Sequence, residues 1–209
     1  IDDPPYVIYK KGALELKEPC IAIVGSRKCS EYGYSMAYEI AKGLSEKGVV
    51  VVSGLAIGID AAAHKGALEK GTTVGVLGNG SNIYYPPSNI TLQRQIESKG
   101  CTLSEYPFNT SPHPGFFPAR NRIISGLCRG VLIVEAAERS GSLITANLAL
   151  EQGRDVFAVP GNAWSKMSIG SNKIIQQGAK LVINADDIIE EIIQYLPLKS
   201  IKNNTNTTN

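Results

Sequence analysis

Short β-branched runs alternate with stretches of helical period along nearly the whole chain, and that alternation restricts the fold more than any other feature. Cys20–Val24 is apolar throughout and ends at Gly25, the pattern of a strand buried on both faces. Further strands are predicted at 49–52, 73–77, 131–134, 155–159 and 180–183, with a short, weaker one at 102–103. Helices are predicted at 35–47, 58–70, 87–99, 119–127, 142–152, 172–177 and 187–195, the first two closed by Gly48 and Gly71. A strand that feeds a helix and then another strand needs a crossover, which sets the strands parallel and the helices on both faces. The expected architecture is an extended Rossmann-like, doubly wound α/β domain over residues 20–196. A proline-containing lead-in segment, 1–19, precedes it. A polar tail, 197–209, follows and has too little apolar surface to bury a face, so it is expected to be disordered or a linker. The chain is expected to be a segment of a longer protein.

In an open α/β sheet the ligand lies outside the carboxyl ends of the strands, so the loops there carry the chemistry. Gly25-Ser26-Arg27-Lys28 follows the first strand. Glycine permits the turn, and a hydroxyl with two cations suits an anion such as phosphate. Ser53-Gly54 follows the second strand and leads on to Asp60, and Ser140-Gly141-Ser142 opens a later helix. Small residues at helix starts leave backbone N–H groups free for anions. Phe116-Phe117, closely followed by Arg120, Asn121 and Arg122, joins aromatic faces to cations. Single-stranded nucleic acid uses that pairing, with bases stacked and phosphates neutralised. On a helix the two arginines cannot share one direction, so one is expected at the site and the other on a structural carboxylate. One of the two phenylalanines is expected in the core.

Several chemistries lack their residues. No Gly-x-Gly-x-x-Gly follows a strand, and the spacing from Gly66 to Gly71 lacks the P-loop lysine and precedes a strand. His64 and His113 are the only histidines, and neither stands at ligand spacing from a cysteine or from the other. His64 reads as a packed or capping residue and Asp60 as a carboxylate that fixes its loop. Glu135 reads either as a loop-fixing group or as a ligand for ribose hydroxyls. Cys20, Cys101 and Cys128 flank apolar runs and read as buried small residues. The net charge of +2 is too small to mark a nucleic-acid binder by composition, and no apolar run is long enough for a membrane span. No catalytic set, metal or cofactor is expected. The alternative is a nucleotide-binding or nucleoside-monophosphate-hydrolysing Rossmann-like enzyme built on Glu135 and Ser140-Gly141-Ser142, but the Gly-Gly-x-Gly-Thr pattern of such enzymes is absent.

Taken together, several segments resemble the DNA-processing protein A family (DprA/Smf) over residues 5–195. They are Gly25-Ser26-Arg27, Ser53-Gly54-Leu55-Ala56-Ile57-Gly58-Ile59-Asp60, Tyr85-Pro86, Phe117-Pro118-Ala119-Arg120-Asn121-Arg122-Ile123-Ile124, Ser140-Gly141-Ser142-Leu143-Ile144-Thr145-Ala146 and Val159-Pro160-Gly161. The resemblance implies a cytoplasmic bacterial protein without catalytic activity. It would bind single-stranded DNA in natural transformation, protect the incoming strand, load the RecA recombinase onto it, and work as a homodimer. By position, the expected DNA contacts are Gly25, Ser26, Arg27, Lys28, Ser53, Gly54, Phe116, Phe117, Arg120, Asn121, Arg122, Ser140, Gly141 and Ser142. The expected dimer contacts are Ile174, Ile175 and Leu181. Some relatives carry a lysine just before the aromatic; here the segment is His113-Pro114-Gly115, and Lys28 or a protonated His113 would supply that charge.

Overall fold

The computed structural model describes residues 1–196, so the tail at 197–209 lies outside the described residues. The strands are β1 (Tyr9–Lys11), β2 (Cys20–Val24), β3 (Val50–Ser53), β4 (Thr73–Leu77), β5 (Cys101–Ser104), β6 (Gly130–Ile133), β7 (Asp155–Ala158) and β8 (Lys180–Leu181). The helices are α1 (Glu31–Glu46), α2 (Ile59–Lys70), α3 (Ile90–Lys99), α4 (Phe116–Leu127), α5 (Gly141–Glu151), α6 (Ile169–Gln176) and α7 (Asp186–Ile192). One sheet runs in the order β1-β5-β4-β3-β2-β6-β7-β8. β1 is antiparallel to β5, and the other pairs are parallel.

The apolar run of β2 serves both faces of this sheet, because side chains alternate along a strand. Ile21 and Ile23 join a core with Ile40 and Leu44 of α1, Ala63 of α2 and Ile188 of α7. Ala22 and Val24 join the opposite core with Ile123 and Ile124 of α4 and Ala146 and Ala149 of α5. The doubly wound arrangement expected from the sequence is thus formed, with local differences, α4 and α6 each starting three residues ahead of expectation, at Phe116 and Ile169. Helix α1 starts at Glu31, ahead of the apolar period, because Ser30 caps it by accepting the Gly33 N–H at 3.1 Å. The stretch at 87–99 splits into a 3₁₀ turn, Pro87–Asn89, and α3. The lead-in segment also supplies an edge strand, β1, which the sequence pattern does not signal.

The topology also places the site. From β2 the chain winds outward through β3, β4 and β5, then crosses back by α4 to β6 on the other side of β2. The loops leaving β2 and β6 therefore diverge, and this switch point is where open α/β sheets form their ligand crevice.

Candidate functional site

A cleft of about 690 Å³ opens at the switch point. Gly25, Ser26, Arg27 and Lys28 line it from the β2 loop, Phe117, Arg120 and Asn121 from α4, and Ser140, Gly141 and Ser142 from the start of α5. An adjoining hollow of about 110 Å³ shares Arg27, Phe117 and Arg120 and adds Gly54, Leu77 and Gly78. Arg27 is exposed and makes no ion pair among the described residues. Its guanidinium carbon lies 5.7 Å from the centroid of the half-buried Phe117 ring, within cation–π range. Tyr85 backs the same ring, with centroids 5.7 Å apart and planes tilted by 30°. The divide between cleft and hollow is therefore an aromatic plate with a cation beside it. That arrangement can take a flat base and an anion together.

The loops around this plate are held from below. A Cβ on Gly25 would come within 2.7 Å of Ile59 Cγ1 and 2.9 Å of the Glu135 carbonyl oxygen, so glycine alone lets the chain leave β2 there. The Ser26 N–H donates to the Glu135 carbonyl at 2.7 Å, and Ser26 Oγ accepts the Lys28 N–H at 3.1 Å. The Glu135 carboxylate is buried and accepts from the Ser30 N–H at 2.8 Å and the Ser30 hydroxyl at 2.6 Å, which ties the far end of the loop to β6. On the β3 side, Asp60 accepts the N–H groups of Gly54 and Ala56 at 3.1 and 3.3 Å. Between them Leu55 has φ +59°, a left-handed conformation that costs a leucine of order 1–3 kcal/mol and persists only where its surroundings impose it. Asn89 Nδ2 adds a further restraint by donating to the Leu55 carbonyl at 3.0 Å.

Arg120 lies under the cleft and donates to the Gly54 carbonyl at 2.8 Å and to the Val76 carbonyl. Burial pushes its guanidinium down to about 10 and pushes the Asp60 carboxyl up, while the attraction between the two groups opposes both shifts. Arg120 is thus still charged at neutral pH, and its charge is held by backbone carbonyls and Asp60 rather than by water.

Three expected contacts stand outside cleft and hollow. Ser53 is fully buried, and its hydroxyl donates to the Ile23 carbonyl at 2.6 Å, tying β3 to β2 instead of facing a ligand. Phe116 stacks on Tyr106, with centroids 4.0 Å apart and planes at 23°, and meets His113 at 5.2 Å. Arg122 is the arginine that finds carboxylates, donating to Glu105 at 2.9 and 2.6 Å and to Asp3 at 2.9 Å. The core phenylalanine expected from the sequence is not there, since Phe116 and Phe117 are both half-buried in aromatic pairs. His64 is packed, and Asp60 fixes its loop, as expected. Of the two roles left open for Glu135, the geometry gives loop fixing. Ile174 and Ile175 pack half-buried against the core, and Leu181 is exposed. Met167 also lines the cleft, from the irregular loop after β7, where no sequence pattern marks it. Among the described residues no cluster of three His, Cys, Asp or Glu side chains could hold a metal, and no helix is long and apolar enough to cross a membrane.

The DNA recombination-mediator protein A family profile matches residues 1–193. The chain is 49% identical over 193 residues to the DNA processing protein DprA of Streptococcus pneumoniae, across 91% of this chain and 68% of that protein. The X-ray structure of DNA processing protein A from Streptococcus pneumoniae superposes with a TM-score of 0.86 at 48% identity, covering 90% of this chain and 66% of that one. A structure of DNA processing protein A from Helicobacter pylori, concerned with the single-stranded DNA binding mode of that protein, superposes with a TM-score of 0.85 at 30% identity. It covers 94% of this chain and 91% of its own. The chain therefore spans about two thirds of the pneumococcal protein's length.

Proposed function

The chain belongs to the DNA recombination-mediator protein A family, and on that premise we propose that it binds single-stranded DNA without catalysing a reaction on it. The observation that carries this reading is the exposed Arg27 guanidinium set beside the Phe117 ring at the mouth of the cleft. Arg27 and Lys28 pair with phosphates, the start of α5 offers further N–H donors, and Phe117 takes a base on its face. Stacking and phosphate pairing are indifferent to base identity, so binding is expected to tolerate sequence. The Helicobacter pylori relative, with its single-stranded DNA binding mode, supports the same reading. In the cell the protein protects the strand that enters during natural transformation and passes it to the RecA recombinase. It acts in the cytoplasm as a homodimer.

Titration of a labelled oligo-dT tests the site. Arg27→Ala weakens binding and lowers the slope of log affinity against log salt by about one, the signature of one lost phosphate contact. Full affinity in an Arg27→Ala/Phe117→Ala double variant would sink the assignment. The hand-over is read in the same system as faster RecA assembly on oligonucleotide already coated with the protein; no acceleration removes that part of the proposal.

A further inference from the structure

Trp164, the only tryptophan of the chain, sits in the loop after β7 and is 94% exposed. An indole is a large apolar group, and one left in water contributes nothing to the core of this fold. The loop around it is nonetheless tied down. Asn162 Oδ1 accepts the Trp164 backbone N–H at 2.8 Å. Asn172, on α6, accepts the Gly161 N–H at 3.1 Å and donates back to the Gly161 carbonyl at 3.0 Å. The indole is thus presented on a fixed backbone.

Its loop borders the cleft. Met167, in the same loop, lines the cleft itself. Asn162, Ser165 and Ser168, in the same loop, line a separate shallow hollow of about 500 Å³. β7 is two strand positions from β2, roughly 10 Å along the carboxyl edge of the sheet. The exposed residues there include Arg139 and Lys166, neither in an ion pair among the described residues, and one acid, Glu138. Glu135 also borders the hollow, with its carboxylate already engaged by Ser30.

We infer that Trp164 is a second stacking platform, which takes a base of the same single strand whose neighbouring nucleotides occupy the Arg27–Phe117 cleft. Lys166 neutralises the phosphate next to that base. This rests on the single-strand reading above and adds to it a path across the β6–β7 side of the sheet edge.

The lone indole is its own probe. Unlabelled oligo-dT is titrated while Trp164 emission is followed, and the anisotropy of a labelled oligo-dT reports binding separately. The expected result is quenching that saturates together with the anisotropy. Trp164→Ala, at an exposed position that leaves the fold intact, should weaken binding roughly 5- to 150-fold, the range of one lost base stack. Trp164→Phe should keep most of the affinity, and Lys166→Ala should lower the salt slope by about one. Anisotropy that rises while emission stays constant, or a Trp164→Ala variant that binds like the parent, overturns the platform and leaves the cleft standing. Emission that responds to RecA and not to the oligonucleotide makes the residue a protein contact and also overturns it. No anisotropy change at all removes both readings.

Discussion

At the residue scale, His64 shows how far burial can move a proton equilibrium in a region that makes no chemistry. Its side chain is fully buried, and its pKa is pushed down to about 3, first by burial and then by the charge of Arg120. The Thr73 hydroxyl has one proton and donates it to the Val51 carbonyl at 2.6 Å, so at the 2.8 Å contact His64 Nδ1–H must be the donor. Nε2 is left as an acceptor with no partner among the described residues. Protonation would place a charge there with nothing to receive its hydrogen. The folded pKa lies below the unfolded value of about 6.5, so this stability is present above that pH and is lost as pH falls towards 3. Between pH 7 and pH 5 the loss is about 2 kcal/mol, a large share of a domain's usual margin. Urea unfolding at the two pH values checks it, with His64→Gln as reference. The pH-dependent part must be smaller in the variant by that amount, because Asp60, whose carboxyl is raised and therefore works in the opposite sense, is common to both proteins. Equal pH dependence in the two proteins would contradict the assignment.

At the scale of elements, α4 supplies two arginines of unlike consequence. Arg120→Ala strands the Gly54 and Val76 carbonyls and removes the positive charge that offsets the burial of the Asp60 carboxyl. Leaving buried carbonyls unpaired costs about 1–3 kcal/mol each, and it frees the strained turn at Leu55, so thermal stability and oligonucleotide binding should fall together. Arg122→Ala gives up its Glu105 and Asp3 contacts near the surface, worth up to about 1 kcal/mol, and should leave binding nearly unchanged. Thermal melts and titrations of the two variants separate these outcomes; a mild Arg120→Ala would mean that the Gly54 and Val76 carbonyls find other donors. The sequence could say that the two arginines must diverge, but not which way each turns, since that depends on how α4 lies across β2, β3 and β4. Ser53 was illegible for a related reason. A hydroxyl at the end of a strand can face a ligand or the neighbouring strand, and only the register with β2 decides. The β-branched runs were legible because burial on both faces demands an unbroken apolar stretch. β1 was not, because three residues pairing with a strand far along the chain leave no period to detect. The start of α1 was hidden because a capping serine, not the apolar stripe, sets it.

At the scale of the molecule, the two ends of the sheet differ in how they meet solvent. The β1 end carries Lys10, exposed and in no ion pair among the described residues, beside Lys11, which is drawn to Glu97; an exposed edge lysine discourages strand-to-strand association. The β8 end leaves Leu181 46% and Ile183 59% exposed, with Lys180 drawn to Glu190 and Glu191. An edge that shows aliphatic side chains and has its lysine engaged elsewhere invites a second copy. A homodimer, if it forms at this edge, is expected to pair through Leu181 and Ile183. Ile174 and Ile175 contribute less, because they are already half-buried against their own core. Pairing would also bear on function, because two clefts on one strand act at high effective concentration and can raise avidity by 10²–10⁴ where the geometry allows both to engage. Leu181→Asp separates the two effects. In sedimentation the variant should run as a monomer and the parent as a dimer. A short oligonucleotide that fills one cleft should bind both equally, while a long one should lose its extra affinity in the variant alone. A parent that sediments as a monomer removes the dimer, and a Leu181→Asp variant that stays dimeric moves the interface to another face. Equal loss on short and long oligonucleotides would mean instead that Leu181 supports the cleft within one copy.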